Sequence, residues 1–251
     1  GREGVIVGQA ARSEATSYPE TTLMSVKRLI GRTLAEAESS GIHDYQLEQE
    51  GSVLRIIVGD RRVTPTEVSA DILRTLKERA QSALGQDVDQ AVITVPAYFD
   101  DTQRQATRNA GRLAGLTVMR LLNEPTAAAL AYGLDRNQQG KFAVFDLGGG
   151  TFDISILDLV DGVFEVLSTG GDTQLGGDDF DATIAQWLLE QAGIAERATP
   201  AIRRAAVLAA EACKIQLTET FQTELRLPLT DGRVHTEQLS RDTYERLVRP
   251  T

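Results

Sequence analysis

The segment Asp146-Leu147-Gly148-Gly149-Gly150-Thr151-Phe152-Asp153 constrains the fold of this chain more than any other. Strand-like alternation runs into it from Phe142 to Phe145 and out of it from Phe152 to Leu159, so it reads as strand, tight turn, strand. Three consecutive glycines leave backbone N–H groups uncovered and open to close approach by an anion. A carboxylate just before them can hold Mg²⁺ through water, and a hydroxyl just after can reach a terminal phosphate. A hairpin that merely needs glycine accounts for the same residues. Two other glycine–phosphate motifs are excluded: no lysine follows the glycines as a P-loop requires, and a Rossmann turn leads from strand to helix.

The flanking pattern is mixed. Before the turn, Val5 to Val7 and Val53 to Val58 are strand-like, and Leu23 to Ile30 looks helical. Thr64, Pro65 and Glu67 form a helix start with a capping box. Val68, Ile72, Leu76, Ala80 and Leu84 then mark an apolar stripe that ends at Gly85. Ala91 to Val95 is a strand, Asp100 and Gln103 cap a second helix closed by Gly115, and Val118 to Leu122 is again a strand. Glu124–Pro125 opens an alanine-rich helix reaching Gly133, and the polar stretch from Asp135 to Gly140 is a candidate linker between lobes. After the turn, Asp161–Gly162 signals a hairpin into a strand from Val163 to Leu167. Helices are predicted from about Asp178 to Gln191 and from Pro200 to Leu217, then a hairpin at Asp231–Gly232 and a short last helix. The predicted class is α/β. A second glycine cluster, Gly170 to Asp181, ends at a helix start, where amides and the dipole favour an anion but several aspartates oppose it.

Composition narrows the function classes. The 251 residues suffice for one large domain or two lobes, with 41% hydrophobic and 25% charged residues. A formal charge of −10 disfavours a dedicated nucleic-acid binder, and Lys27–Arg28, Arg61–Arg62 and Arg203–Arg204 read as solvated groups. No run approaches the ~18 apolar residues of a membrane span. Cys213, the sole cysteine, reads as a small buried residue, which fits a reducing cytoplasm. His43 and His235 have no metal-ligand spacing and read as surface residues, and Trp187 reads as core packing.

Four stretches taken together carry a resemblance: DLGGGTFDIS (Asp146 to Ser155), VITVPAYF (Val92 to Phe99), NEPTAAALAYG (Asn123 to Gly133) and KRLIGR (Lys27 to Arg32). With them the chain resembles the nucleotide-binding domain of the DnaK-type, seventy-kilodalton heat-shock chaperones almost end to end. The match is looser between about Thr33 and Arg62. The uninterrupted run Gly162 to Leu167, the stretch Gly170 to Asp181, EQAGI (Glu190 to Ile194) and the short region from Thr218 to Gln238 resemble the branch specialised for iron–sulfur cluster assembly.

The resemblance implies an actin-like (ribonuclease H-like) ATPase fold of two lobes, residues 1–135 and 136–251, bound to ATP or ADP with Mg²⁺ and K⁺. It places Lys27 at the γ-phosphate and attacking water, with Glu124 and Asp146 beside the metal and water. Thr151 matches the hydroxyl facing the γ-phosphate, and Gly148, Gly149 and Gly150 match the phosphate loop. Asp146 and Asp153 are the implied metal-side carboxylates, Asp153 for the monovalent ion. Gly177, Glu211, Lys214 and Thr218 match the adenosine side, where Ile215 offers a base neither a cation–π contact nor an ion pair. Pro96 and Arg104 correspond to a relay toward a substrate domain, and Arg120 and Asn123 to the J-domain co-chaperone contact.

The same resemblance implies a first phosphate hairpin before Gly1. It also implies an adenosine loop and a peptide-binding domain beyond Thr251, so the expectation is a fragment with weak binding and negligible ATPase alone. The implied partners are a J-domain protein and an iron–sulfur scaffold protein or unfolded peptide, in a bacterial cytoplasm, with no nucleic acid and no membrane. A general folding chaperone is the alternative, followed by an actin-like small-molecule kinase and a filament-forming actin relative.

Overall fold

The computed structural model describes residues 4–39, 45–132 and 139–250. The chain packs as two compact units, Gly1–Gly8 with Met24–Gln174 and Gln9–Leu23 with Leu175–Thr251. Each has its own architecture, and together they give the predicted mixture of α and β elements.

The chain enters through a short helix α1 (Gln9–Ser13), which belongs to the second unit. Val5 to Val7 forms no strand. The helix expected from Leu23 to Ile30 is only a 3-10 turn over Val26–Leu29, because Ser25 takes a left-handed conformation (φ 53°) and redirects the chain just before it. Val26 and Leu29 are buried, so the turn is fixed on one side while Lys27 and Arg28 project from it.

After α2 (Leu34–Ser39), three antiparallel strands follow in order: β1 (Gln46–Glu50), β2 (Val53–Val58) and β3 (Arg61–Val63). Leu54 and Ile56 of β2 face the interior. Helix α3 (Pro65–Leu84) starts at Thr64 with both halves of the capping box formed: Glu67 N–H to Thr64 Oγ1 at 3.1 Å and Thr64 N–H to Glu67 Oε2 at 2.8 Å. Such a cap is worth about 1 kcal/mol. The stripe read on this helix is not a buried one: Ile72, Leu76 and Leu84 are exposed, and Pro65 and Ala70 are the buried residues.

Strand β4 (Gln90–Val95), helix α4 (Asp101–Leu113) and strand β5 (Thr117–Asn123) make a βαβ unit with β4 and β5 parallel. Asp100 and Gln103 form the second capping box. Gly111 of α4 is required by packing, since a Cβ there would lie 2.4 Å from Val118. Helix α5 (Glu124–Ala131) begins at the residue after β5 ends. Of the candidate linker, Asp135 to Asn137 and Gln138 lie outside the described residues, as do Gly133 and His43.

An antiparallel meander completes this unit: β6 (Gly140–Leu147), β7 (Phe152–Val160) and β8 (Val163–Asp172). Asp161 and Gly162 both have positive φ, 52° and 78°, as a type I′ turn requires. Strand β8 runs five residues further than its apolar run predicts and takes in Gly170 and Gly171. That extension depends on glycine: at Gly171 (φ 147°) a Cβ would sit 2.1 Å from the Phe152 carbonyl.

In the second unit, α6 (Gly177–Gln191) and α7 (Pro200–Gln216) pack with the hairpin of β9 (Gln222–Pro228) and β10 (Val234–Ser240). Ile184 and Leu188 of α6, Ala206 and Ala210 of α7, and Leu225, Leu227 and Leu239 of the hairpin are fully buried there. Thr223, Leu225 and Leu227 alternate inward with period two, the pattern of a sheet covered on one face. Cys213 lies in this core with its Sγ donating to the Glu224 carbonyl, and Trp187 packs at its edge. Arg204 is buried, so the Arg203–Arg204 pair is a solvated group at Arg203 alone. Helix α8 (Arg241–Val248) ends the described chain, and no described helix is long and apolar enough to cross a membrane.

Candidate functional site

The glycine turn joins β6 to β7, and the register sets Asp146 directly opposite Asp153 and Leu147 opposite Phe152. Gly148 N–H donates to the Thr151 carbonyl at 2.9 Å and closes the turn. None of Gly148, Gly149 and Gly150 has a positive φ. A Cβ on Gly148 would meet only the Thr151 carbonyl, at an ordinary 3.5 Å. Backbone handedness therefore does not demand three glycines here, in contrast to Gly171. What they provide is peptide without side chains, exposed at Gly148 and Gly149 and half-buried at Gly150.

Around this turn the first unit gathers charge from distant parts of the sequence. Lys27 Nζ lies 2.9 Å from Glu124 Oε1, joining the 3-10 turn to the start of α5. Asp153 is buried, and burial is the main cause that raises its carboxyl above the ordinary aspartate range. Hydrogen bonding from the Thr151 side chain and the charge of Lys27 oppose the rise, while Glu124 and Asp146 add to it. Tyr98, at the end of VITVPAYF, is pushed up to about 12 by burial and by Asp153, so its phenol stays protonated at neutral pH. Three carboxylates thus face one lysine, an excess of negative charge suited to a cation.

Among the described residues no group of three His, Cys, Asp or Glu is close enough to hold a metal by itself. The donor set does fit Mg²⁺, which takes one or two carboxylates and completes its shell with phosphate and water. Asp146 and Asp153, paired across the hairpin, are the residues that would face it.

Arg104 of α4 ties together the residues that follow β4 and β5. Its Nε donates to the Phe99 carbonyl at 2.8 Å, and its Nη2 reaches the carbonyls of Ala97 at 3.0 Å and Pro96 at 3.4 Å. The same Nη2 donates to Asn123 Oδ1 at 3.0 Å. Pro96, Arg104 and Asn123 are therefore one hydrogen-bonded cluster, and Arg120 is exposed on β5.

The other predicted residues belong to the second unit, on the last turns of α7 and the start of α6. Lys214 Nζ donates to the Gly177 carbonyl at 2.9 Å and to Asp181 Oδ2 at 2.8 Å. Burial raises the Asp181 carboxyl, and Lys214 offsets part of that rise. Glu211 pairs with Arg12, and Thr218 Oγ1 turns back to the Ile215 carbonyl at 2.7 Å. Ile215 is exposed, so it is not core filling. Arg241 secures the end of α7: its guanidinium reaches the carbonyls of Leu217, Thr218 and Thr220 and lies 4.7 Å from the Phe221 ring centroid.

The structure thus brings Lys27, Glu124, Asp146, Thr151 and Asp153 into one charged neighbourhood, and Gly177 and Lys214 into direct contact in the other unit. Sequence reasoning missed Arg28, Tyr98, Asp181 and Arg241. Arg28 and Tyr98 lie inside quoted motifs and were hidden by more familiar neighbours, Asp181 sat in an aspartate-rich run, and nothing local marks Arg241.

This arrangement of a βαβ unit, an aspartate-flanked glycine hairpin and a lysine–glutamate pair belongs to a known family. A family model described as Hsp70 protein matches residues 1–251, and the chain is a member of that family. It is similar to the chaperone protein HscA homolog of Pseudomonas putida, with 53% identity over 248 residues, covering 97% of this chain and 39% of the relative. The chaperone protein HscA homolog of Laribacter hongkongensis is 51% identical over 243 residues, again 97% of this chain and 39% of the relative. Chaperone protein HscA of Edwardsiella ictaluri is 52% identical over 249 residues, 98% of this chain and 40% of the relative. The chain therefore spans about two fifths of the length of these relatives.

Proposed function

We propose that this chain is part of the ATP-binding and ATP-hydrolysing module of a bacterial chaperone that assists iron–sulfur cluster assembly. The observation that carries the reading is the turn at Gly148, Gly149 and Gly150. Its glycines meet no demand of backbone handedness, yet Gly148 and Gly149 lie exposed between two aspartates. Likeness to bacterial HscA chaperones, at half identity or better, supports the choice of family branch.

In this reading residues 1–135 contribute the first lobe and 136–251 the second. The glycine turn cradles the phosphates, and the Thr151 hydroxyl faces the terminal one. Lys27 neutralises charge developing on the transferred phosphoryl group, and its contact with Glu124 holds its ammonium in place. Glu124 and Asp146 accept hydrogen bonds from the attacking water and orient it. When bound, Mg²⁺ neutralises the phosphate oxygens; Asp146 and Asp153 hold it or its water shell, and Asp153 also suits K⁺. On the adenosine side, Glu211 and Thr218 supply acceptors and the Lys214 ammonium is steadied by Gly177 and Asp181. Arg120 and Asn123 contact a J-domain protein, and a substrate-binding domain outside this chain engages a scaffold protein. The setting is the bacterial cytoplasm.

Calorimetric titration of ADP and ATP with Mg²⁺ into this chain and into the full-length protein tests the reading. Tight binding by the full-length protein, with hydrolysis lost in Lys27→Ala, is the expected result. No nucleotide binding by the full-length protein, or phosphoryl transfer to a small molecule instead of water, would sink it. Failure to bind an iron–sulfur scaffold protein would return the module to general protein folding.

A further inference from the structure

Arg28 follows Lys27 in the 3-10 turn, and its Nε donates to the Gly150 carbonyl at 2.7 Å. The two residues are 122 positions apart, so the bond ties the KRLIGR segment directly to the glycine turn. Gly150 makes room for this contact. A Cβ there would meet Arg28 Nε at 3.0 Å, with Cγ and Cδ of the same side chain at 3.7 and 3.8 Å. The arginine stem lies over the bare glycine while its Nε reaches the carbonyl beside it.

A trans peptide points its C=O and the following N–H in opposite directions. The 150–151 peptide is trans, so holding the Gly150 oxygen on Arg28 commits the Thr151 N–H to the opposite side. The Gly148 N–H to Thr151 carbonyl bond fixes the next peptide plane in the same way. Free glycine peptides rotate easily, so a turn of three would otherwise sample many orientations of its amides. A guanidinium bond to the backbone removes that freedom before any phosphate arrives, which is preorganisation rather than contact with substrate.

From this geometry we infer that Arg28 is a positioning residue for the phosphate turn, orienting the Gly150–Thr151 peptide toward the terminal phosphate. The inference rests on the reading of the turn as a phosphate cradle. Arg28 acts through backbone at the end of the turn nearest Thr151. It therefore matters more for a nucleotide with a γ-phosphate than for one without.

The test uses the full-length chain with Arg28→Ala, Arg28→Lys and Gly150→Ala, measuring single-turnover hydrolysis, the Kd of ATP and of ADP, and thermal midpoints. Arg28→Ala is expected to slow hydrolysis at least about tenfold and to reduce the preference for ATP over ADP about fivefold, the loss of one charge-assisted bond. Arg28→Lys, which donates from its chain end, recovers part of the rate. Gly150→Ala pushes against the arginine and gives the same phenotype, and the double variant is no worse than Arg28→Ala alone. Wild-type rates and preference in Arg28→Ala would overturn the inference while leaving the phosphate reading intact. Equal loss of ATP and ADP affinity with a lowered thermal midpoint would also overturn it, as a merely structural role. A wild-type protein that binds neither nucleotide would remove the phosphate reading and this inference together.

Discussion

Lys27 and Glu124, 97 positions apart in the sequence, meet through an Nζ to Oε1 distance of 2.9 Å in the first unit. The pair is not deeply buried: the lysine side chain keeps 53% of its exposure and the glutamate 21%. An ion pair this accessible adds only about 0–1 kcal/mol to stability. Its value lies in where it holds a cation, beside the carboxylates of Asp146 and Asp153.

Replacing Lys27 with alanine should therefore separate stability from chemistry. The thermal midpoint of the full-length protein is expected to move by no more than about 1 kcal/mol equivalent. Single-turnover ATP hydrolysis is expected to fall at least about 100-fold, as for loss of an electrostatic stabiliser. A rapid-quench assay beside a melting curve checks both, and a variant that hydrolyses normally would remove Lys27 from the catalytic set.

Gly148, just past the end of β6, and Gly171, near the end of β8, answer to different demands. Gly171→Ala drives a Cβ to 2.1 Å from the Phe152 carbonyl at a φ of 147°, so it should destabilise the meander by more than about 1 kcal/mol. Gly148→Ala meets nothing closer than 3.5 Å and should fold normally. Its methyl crowds the phosphates instead, and an affinity loss of about tenfold for ATP is expected by calorimetry. Equal melting curves for the two variants would contradict the distinction.

Asp181 gives a pH dependence with a definite sign. Burial raises its carboxyl above the ordinary value of about 4 despite the Lys214 ammonium. The folded state therefore disfavours the charged form. The contribution of Asp181 to stability declines as pH rises from the ordinary aspartate range through the raised folded value, and is level above it. Asp181→Asn lacks that titration, so its thermal midpoint relative to wild type should climb across that window. Parallel melts from pH 3.5 upward would show it, and a constant difference would refute it.

The second unit's core should respond as a single tight cluster. Leu188 and Leu225 come from a helix and a strand and are both fully buried. Either residue changed to alanine should lower stability by about 2–5 kcal/mol in urea unfolding.

Much of the fold was legible because its signals are local. Thr64 with Glu67 and Asp100 with Gln103 marked helix starts that form as read, and Asp161–Gly162 marked its turn. The misreadings share a cause. Val5 to Val7 is an apolar run that pairs with no strand among the described residues, and the helix at Leu23 failed at a left-handed Ser25 that no residue pattern announces. On α3, periodicity identified an apolar face, but periodicity cannot say what covers it. The candidate site was legible only as motifs. Contacts such as Arg28 with Gly150, or Lys214 with Gly177 and Asp181, join residues too far apart for spacing to reveal.

The second compact unit is assembled from two stretches, residues 9–23 and 175–251, with residues 24–174 of the first unit between them in the sequence. Synthesis delivers these stretches at very different times. At about 5–20 residues per second, Arg12 emerges roughly 10–40 s before its partner Glu211. The early segment must stay soluble and uncommitted throughout that interval, and its composition suits the wait: QAARSEATSYPETTL is polar, with few large apolar side chains to misdirect.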